Sequence, residues 1–280
     1  LKMKRLLLPL LAALALPIAV FGLGYEVKTN LMTDEKEIEE KKQQLIISEI
    51  NLKGFNYYIT KASELLGVYG RERDVIDYAN RALEIKEDAD AYYYLGYAKS
   101  DIGRNAEALK NLNQAIDLNS SDPRYFYVRG NTKGSLGDHE EAIKDYKKTI
   151  QLQPKHINAY GNLALAQKDL GFYQEAIRTF DKALSIDPRH SNNFRMRGNI
   201  KYELKKYKEA IIDFDKALSI PSKVADDKAW REGVHADAYY DRAYAYVGLE
   251  KYEAACKDFE KAKSLGKNLS EQIVNACNLK

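Results

Sequence analysis

The sequence is poor in proline, cysteine and tryptophan, and the first two scarcities restrict what the chain can form. It has six prolines, two cysteines and one tryptophan among 280 residues. No proline falls inside a segment whose apolar residues recur with helical spacing, so none interrupts a predicted helix. Two cysteines supply too few ligands for a structural metal site. The composition therefore favours a helical chain, and no metal site is predicted.

The sequence also lacks the motifs that would nominate an enzyme. It has no glycine-rich phosphate-binding loop, no Gly-x-Ser-x-Gly and no His-Glu-x-x-His. Two of the four histidines, His156 and His190, fall in predicted loops. We interpret them as exposed loop residues rather than as a metal pair. No catalytic residue and no cofactor is predicted, and we expect the protein not to be an enzyme.

An excess of charge of one sign is missing as well. The basic residues Lys2, Lys4 and Arg5 precede the first acid, Glu26. Without those three, the 44 basic side chains fall to 41, which equals the 41 acidic ones, although the whole chain has a formal net charge of +3. Proteins that bind nucleic acid present a basic face to the phosphates. The charge balance therefore argues against a nucleic-acid partner.

A long apolar run occurs at the N-terminus. Lys4 and Arg5 precede an uncharged stretch from Leu6 to Tyr25, which resembles a bacterial export leader. Residues 1–24 are predicted to be either a cleaved signal peptide or an uncleaved signal anchor that spans the membrane. Both interpretations predict an exported protein, periplasmic or lumenal, that is secreted or anchored to the membrane by this segment alone. Residues 25–55 are predicted to be a charged helical spacer.

A pattern of 34 residues recurs through the rest of the chain. Its clearest copy, residues 157–190, has two stretches of apolar residues with helical spacing and a glycine between them. The residues that carry the pattern are Tyr160, Leu163, Ala164, Gly171, Ala176, Phe180, Ala183, Ile186 and Pro188. A small residue recurs at the eighth position, at Gly96, Gly130, Ala164 and Gly198. The fixed interval indicates a structural repeat.

This spacing of aromatic, small and turn residues resembles the tetratricopeptide repeat, a pair of antiparallel helices. The resemblance implies an all-α, right-handed α-solenoid of about six repeats over residues 56–280, closed by a C-terminal capping helix. The predicted repeats are 56–88, 89–122, 123–156, 157–190, 191–224 and 236–269, and the predicted cap is 270–280.

An insertion near residues 225–235 separates the last two predicted repeats, and we expect it to extend the first helix of the sixth. Cys256 lies in the second helix of that repeat, and Cys277 lies in the predicted cap. Both are at a similar distance from the predicted turn at Gly266, so they fall at a similar height on antiparallel helices. In an oxidising compartment the two are candidates for a disulfide. Two buried thiols are the alternative.

The resemblance also implies where a partner would bind. In tetratricopeptide superhelices the first helix of each repeat lines a concave groove, and here those positions carry side chains that packing does not require. Tyrosine, arginine and asparagine are common in peptide recognition. The predicted groove residues are Tyr93, Tyr97, Tyr127, Asn131, Asn162, Arg195, Asn199, Tyr240 and Tyr244. The alternative is that they pack against neighbouring first helices.

One subclass of the family binds C-terminal carboxylates with a clamp of three cations and two amides. Asn131 and Asn162 match the amides, but Tyr127, Asn192 and Met196 stand where the cations belong. Carboxylate capture is therefore not expected.

The function that the resemblance implies is a non-catalytic scaffold or assembly factor that binds a protein or peptide segment in the groove. Two alternatives remain open. One is a regulatory subunit that recruits a partner through its ends or convex face. The other is an accessory factor that binds envelope polysaccharide.

Overall fold

The structure is a computed structural model that describes residues 25–220 and 228–278. These residues form thirteen α-helices and no strand. The helices are α1 (Tyr25–Leu65), α2 (Glu72–Leu83), α3 (Ala89–Asp101), α4 (Asn105–Leu118), α5 (Pro123–Ser135), α6 (His139–Leu152), α7 (Ile157–Asp169), α8 (Tyr173–Ile186), α9 (Ser191–Glu203), α10 (Tyr207–Ser219), α11 (Lys228–Gly248), α12 (Tyr252–Ser264) and α13 (Glu271–Ala276).

The described chain divides into two units, one ending at Gly54 and the other beginning at Phe55. The first unit contains the N-terminal part of α1, where Glu37 and Lys41 form an ion pair at 2.7 Å. The second unit contains the rest of α1 and all the later helices. The leader predicted for residues 1–24 lies outside the described residues. No helix in the described ranges is long and apolar enough to cross a membrane.

From Phe55 onwards the helices associate as consecutive pairs, and each pair is one repeat. The first helices of repeats two to six are α3, α5, α7, α9 and α11, and each packs against the helix that follows it. The first helices of successive repeats also contact one another. The predicted all-α solenoid of helix pairs is thereby confirmed.

The two helices of a repeat approach closely because one of them has a small residue at the eighth position. In repeat five, a methyl group added at Gly198 would lie 2.7 Å from the ring of Phe214, inside van der Waals contact. Repeat four has Ala164 and Phe180 at the same two positions, and both are fully buried. The small residue therefore lets an aromatic ring fill the space between the helices.

The turn between the helices of a repeat requires a left-handed backbone conformation. Gly103, Gly137 and Gly171 occupy it with φ of 77°, 81° and 79°. In repeats five and six the same position holds Lys205 and Glu250, with φ of 58° and 61°. A side chain disfavours this conformation, so the last two repeats carry strained turns.

The residue before each of four first helices caps it by accepting a backbone N–H. Asp88 and Asp122 do so before α3 and α5. Nδ1 of His156 accepts from Ala159 at 3.1 Å, and Nδ1 of His190 accepts from Asn193 at 3.3 Å. Both histidines are half-buried, and burial lowers their pKa. His156 and His190 do lie in loops, as interpreted, but they are not exposed, because each is half-buried and caps a first helix.

The C-terminal end of the second unit is closed by α13. Helix α11 begins at Lys228, before Ala236, as expected for an insertion that extends it. Beyond α12, Leu269 and Ile273 pack against the cluster of the last repeat. A disulfide joins Cys256 to Cys277, with their Cα atoms 5.3 Å apart. The capping helix thus covers the apolar end of the stack and is linked to α12.

Candidate binding groove

The first helices of repeats three to six line two adjoining depressions. One lies between α5, α6 and α7 and has a volume of about 350 Å³; we call it the α5–α7 depression. The other lies between α7, α9 and α11 and has a volume of about 240 Å³; we call it the α7–α11 depression. Leu165 lines both. A partner segment lying across the first helices would therefore meet both depressions.

Asn131 is the centre of the hydrogen bonds in the α5–α7 depression. Its Oδ1 accepts from Asn162 Nδ2 at 2.8 Å and from Tyr146 Oη at 3.0 Å. Asn162 Nδ2 also donates to Tyr127 Oη at 3.2 Å. Burial raises the pKa of Tyr146, so its phenol stays protonated and remains a donor.

This network fixes the orientation of the Asn162 amide. Tyr127 is itself held by the ring of His156, with the two ring centres 4.6 Å apart. Three predicted groove residues, Tyr127, Asn131 and Asn162, are therefore brought together. The Oδ1 of Asn162 has no protein hydrogen-bond partner in the described part of the chain, and an amide oxygen can accept a backbone N–H of a bound peptide.

The α7–α11 depression combines an apolar floor with charged residues at its edge. Leu165 and Met196 are apolar, and Tyr202 and Tyr244 supply aromatic rings. The remaining lining residues are Lys168, Asn199, Glu203 and Asp241. Two predicted groove residues, Asn199 and Tyr244, therefore line this depression.

Arg195 is engaged within the protein. Its Nη1 donates to Asp241 Oδ2 at 2.9 Å, and Asn199 Nδ2 donates to the same oxygen at 3.1 Å. Arg195 Nη2 donates to Asn192 at 3.4 Å. Burial raises the pKa of Asp241 and outweighs the lowering effect of Arg195 and Asn199. Arg195 thus neutralises a partly buried carboxylate, and its guanidinium is not offered to an acidic partner.

Tyr240 and Tyr244 of α11 form an aromatic cluster with Phe259 of α12 in the last repeat. Their hydroxyl oxygens are 3.2 Å apart, and both rings contact Phe259 edge-on, with centres at 5.8 and 5.3 Å. The hydrogen bond with Tyr240, together with burial, raises the pKa of Tyr244 to about 12. Tyr244 is therefore a neutral phenol at physiological pH. Tyr240 is covered on another side by Lys267, whose Nζ is 5.0 Å from the ring centre.

Tyr93 belongs to the core and not to the groove, which corrects its assignment as a groove residue. Its side chain is 6% exposed, and its ring packs against Tyr94 and Tyr125 at 5.4 and 5.3 Å. Tyr97 is half-buried and contacts Tyr93 at 6.3 Å. Residues 92–94 are all tyrosine and point about 100° apart around the helix. Some of these rings must therefore face the neighbouring helices.

Six of the eight residues that line the α7–α11 depression were not singled out as predicted groove residues: Leu165, Lys168, Met196, Tyr202, Glu203 and Asp241. They occupy positions six, nine, twelve or thirteen of their repeats, which face the groove in the family. The spacing therefore contained the signal for all six. The prediction favoured tyrosine, arginine and asparagine, whereas only one of the six is of these types.

Stacked helix pairs with a groove along their first helices define a helical-repeat protein. The repeats are tetratricopeptide repeats: the family model described as "TPR repeat" matches residues 130–171, and two described as "Tetratricopeptide repeat" match residues 157–190 and residues 89–122, 196–223 and 236–267. No curated protein sequence matches the chain.

Solved structures share this fold at low sequence identity. PilF of Pseudomonas aeruginosa has 18% identity and a TM-score of 0.63, and the match covers 77% of this chain and 93% of PilF. A crystal structure of MamA has 21% identity and a TM-score of 0.53, covering 61% and 94%. YrrB, described as "a TPR protein with an unusual peptide-binding site", has 19% identity and a TM-score of 0.53, covering 71% and 97%. These similarities establish the fold.

Proposed function

We propose that the protein is a non-catalytic scaffold or assembly factor that holds a peptide or protein segment in the groove formed by α5, α7, α9 and α11. The observation that supports this most directly is the pair of adjoining depressions on these four helices. Tetratricopeptide repeats commonly mediate protein–protein interactions, and YrrB, which shares the fold, has a peptide-binding site of its own.

The chemistry of the two depressions suits an extended segment. The α5–α7 depression offers the orientated amide of Asn162, which can pair with a peptide backbone. The shared residue Leu165 offers apolar contact, and the α7–α11 depression offers rings and charged groups that can select a side chain. Pairing of Asn162 with the peptide backbone would supply affinity, and the α7–α11 depression would supply selectivity for one side chain.

We also propose that the repeats work outside the cytoplasm, in the periplasm or an equivalent lumen. The disulfide between Cys256 and Cys277 supports this compartment, because disulfides persist in oxidising environments. The apolar stretch from Leu6 to Tyr25 supplies the export signal. The mass of the mature N-terminus tests the fate of the leader: a start at Tyr25 supports secretion, and an intact leader supports anchoring. A protein that is found in the cytoplasm with free thiols contradicts the proposal.

A photo-crosslinking amino acid placed in the full chain tests the groove. One variant carries it at Leu165, between the two depressions. The matched control carries it at Ile212, which is 58% exposed on the second helix of repeat five. We expect irradiation of intact native cells to yield discrete protein adducts with Leu165 and none with Ile212.

The same experiment separates the rival functions. Adducts that form only at Ile212 would favour a regulatory subunit that recruits its partner through the convex face. Adducts at Leu165 whose cross-linked material is degraded by glycoside hydrolases and not by protease would favour a factor that binds envelope polysaccharide. The absence of any adduct at Leu165 contradicts the proposed groove function.

A further inference from the structure

The walls of the α7–α11 depression suit a long side chain with an aliphatic stem. Leu165 and Met196 offer apolar surface, and Tyr202 and Tyr244 complete the wall with aromatic rings. Burial raises the pKa of Tyr202, so its phenol, like that of Tyr244, is neutral at physiological pH. Neutral aromatic rings attract cations to their faces.

Negative charge exceeds positive charge around this depression. Lys168 lies 3.5 Å from Asp169 and 3.6 Å from Glu203, and both distances are longer than those of a close ion pair. Lys168 is thus shared between two carboxylates and is bound closely by neither.

A second group of charges lies on the α9–α11 side. Arg195 pairs with Asp241 at 2.9 Å and lies 3.7 Å from Asp237. Lys267 pairs with Asp237 at 2.5 Å. Of all these residues, only Lys168, Glu203 and Asp241 line the depression, so its lining holds two carboxylates and one cation. Arg195 pairs closely with Asp241, whereas the cation nearest to Glu203 among the residues that the structure describes is Lys168 at 3.6 Å. An additional cation could therefore pair closely with Glu203.

The surroundings of Asp241 point in the same direction. Its side chain is only 20% exposed, and partial burial raises its pKa even though Arg195 and Asn199 both bond to it. The native partners therefore do not fully offset the loss of water. A positive group entering the depression would stabilise the ionised carboxylate further, whereas an acidic side chain would be repelled by Glu203 and Asp241.

From these contacts we infer that the α7–α11 depression binds a lysine or arginine side chain of the segment held in the groove, with its stem on Leu165 and Met196 and its charge beside Glu203. The inference rests on the proposed function, since it names the side chain that the groove selects. The partner is thus a segment with a basic residue and not one that ends in a captured carboxylate.

A display library of random twelve-residue peptides, selected on the full chain, supplies the probe. Enriched peptides are synthesised with each basic residue replaced in turn by norleucine, which keeps a straight aliphatic stem and removes the charge. We expect one such replacement to weaken binding at least about tenfold, the scale of one lost cation–π contact or ion pair. Glu203→Gln should weaken the parent peptide by a similar factor and leave the norleucine peptide unchanged.

A control variant and a local probe keep the outcome specific. Glu209→Gln, on α10, removes an exposed carboxylate that lines neither depression, and it should not affect binding. The methyl resonance of Met196, assigned with Met196→Leu, should shift as the peptide binds.

Each remaining outcome has a defined meaning. If no peptide is enriched over an unrelated bait, the proposed groove function fails. If peptides bind but tolerate norleucine, or bind without moving the Met196 resonance, the groove function stands and the basic-side-chain inference is overturned. Unchanged affinity for the parent peptide in Glu203→Gln also overturns it.

Discussion

Arg197 and Asp213 form a two-point ion pair inside repeat five, with Nε to Oδ2 at 2.9 Å and Nη2 to Oδ1 at 2.6 Å. The remaining nitrogen, Nη1, bonds to Asp181 of the preceding repeat at 2.5 Å. The pair joins the two helices of one repeat and ties them to the repeat before. The same arrangement recurs in Arg129–Asp145 and Arg242–Asp258.

Removing the acid from this arrangement should be costly. Asp213 is 2% exposed and also accepts from Lys201 at 2.7 Å. Asp213→Ala removes the acid shared by two largely buried cations and leaves Arg197 with Asp181 alone, so we expect a loss of about 3–5 kcal/mol of unfolding free energy. Urea unfolding followed by circular dichroism measures the loss.

Repeat four supplies the matched control, because it has Leu163, Gln167 and Thr179 where repeat five has the arginine, the lysine and the aspartate. Replacing Arg197, Lys201 and Asp213 together by these three residues removes the charges with their partners. The triple variant should lie within about 1 kcal/mol of the native chain. A triple variant as unstable as Asp213→Ala would contradict the argument.

The histidine caps should make stability depend on pH. Nδ1 of His156 and of His190 must be unprotonated to accept its N–H, and burial lowers both pKa values from the ordinary 6.5, against a raising effect of Asp187 at His190. A lowered folded-state pKa gives stability that is present above pH 6.5 and is lost as the pH falls through the folded-state value.

The caps of α3 and α5 supply the comparison, since they are aspartates. His156→Asp with His190→Asp should remove most of this acid sensitivity, while the native chain loses about 1 kcal/mol per cap. Thermal unfolding between about pH 7.5 and about pH 5 measures both. Parallel pH profiles for the two proteins would show that the caps do not titrate in this range.

The strained turn of repeat five should be relieved by glycine. Lys205 has φ of 58° at the position where Gly171 has 79°. We expect Lys205→Gly to stabilise the chain by on the order of 1 kcal/mol, because a side chain is disfavoured in this conformation. The reciprocal change, Gly171→Lys, should destabilise it by a similar amount. A methyl group at Gly171 would meet no atom within 4 Å, so a shift in thermal midpoint reports backbone conformation and not a clash.

The disulfide should hold the capping helix in place. Cys256 and Cys277 are 21 residues apart in the chain, and a loop of that size contributes about 3 kcal/mol by constraining the unfolded chain. Cys256→Ser with Cys277→Ser should lower amide protection in α13 and leave α7 and α8 unchanged in hydrogen exchange. A reductant should reproduce the loss in the native chain and have no effect on the variant. Equal protection of α13 with and without the bond would contradict this role.

The repeat was predictable because each of its key residues acts within one helix pair. The eighth-position residues, such as Gly198, and the turn glycines, such as Gly171, recur at fixed spacing and have the same neighbours in each copy. The groove positions were predictable in the same way, since spacing determines which face of a first helix a residue lies on. Asn131 and Asn162 do line the α5–α7 depression.

What each groove residue contacts was not predictable, because the partner comes from a different repeat. Arg195 seemed free to bind a ligand, yet Asp241, 46 residues later, neutralises it. Tyr93 seemed exposed, yet Tyr125 of the next repeat covers it. Such contacts depend on the distance between stacked helices, which no single repeat contains.

By itself, the sequence determined the helix pairs, their small-residue contacts and their turns, since 34-residue spacing and local backbone preferences are properties of the chain. Only the tertiary structure decided which tyrosines are core, which charges are already paired and where the two depressions lie. The physical reason is that burial and ion pairing arise when successive repeats stack and exclude water, so they depend on pairs of residues brought together from separate repeats.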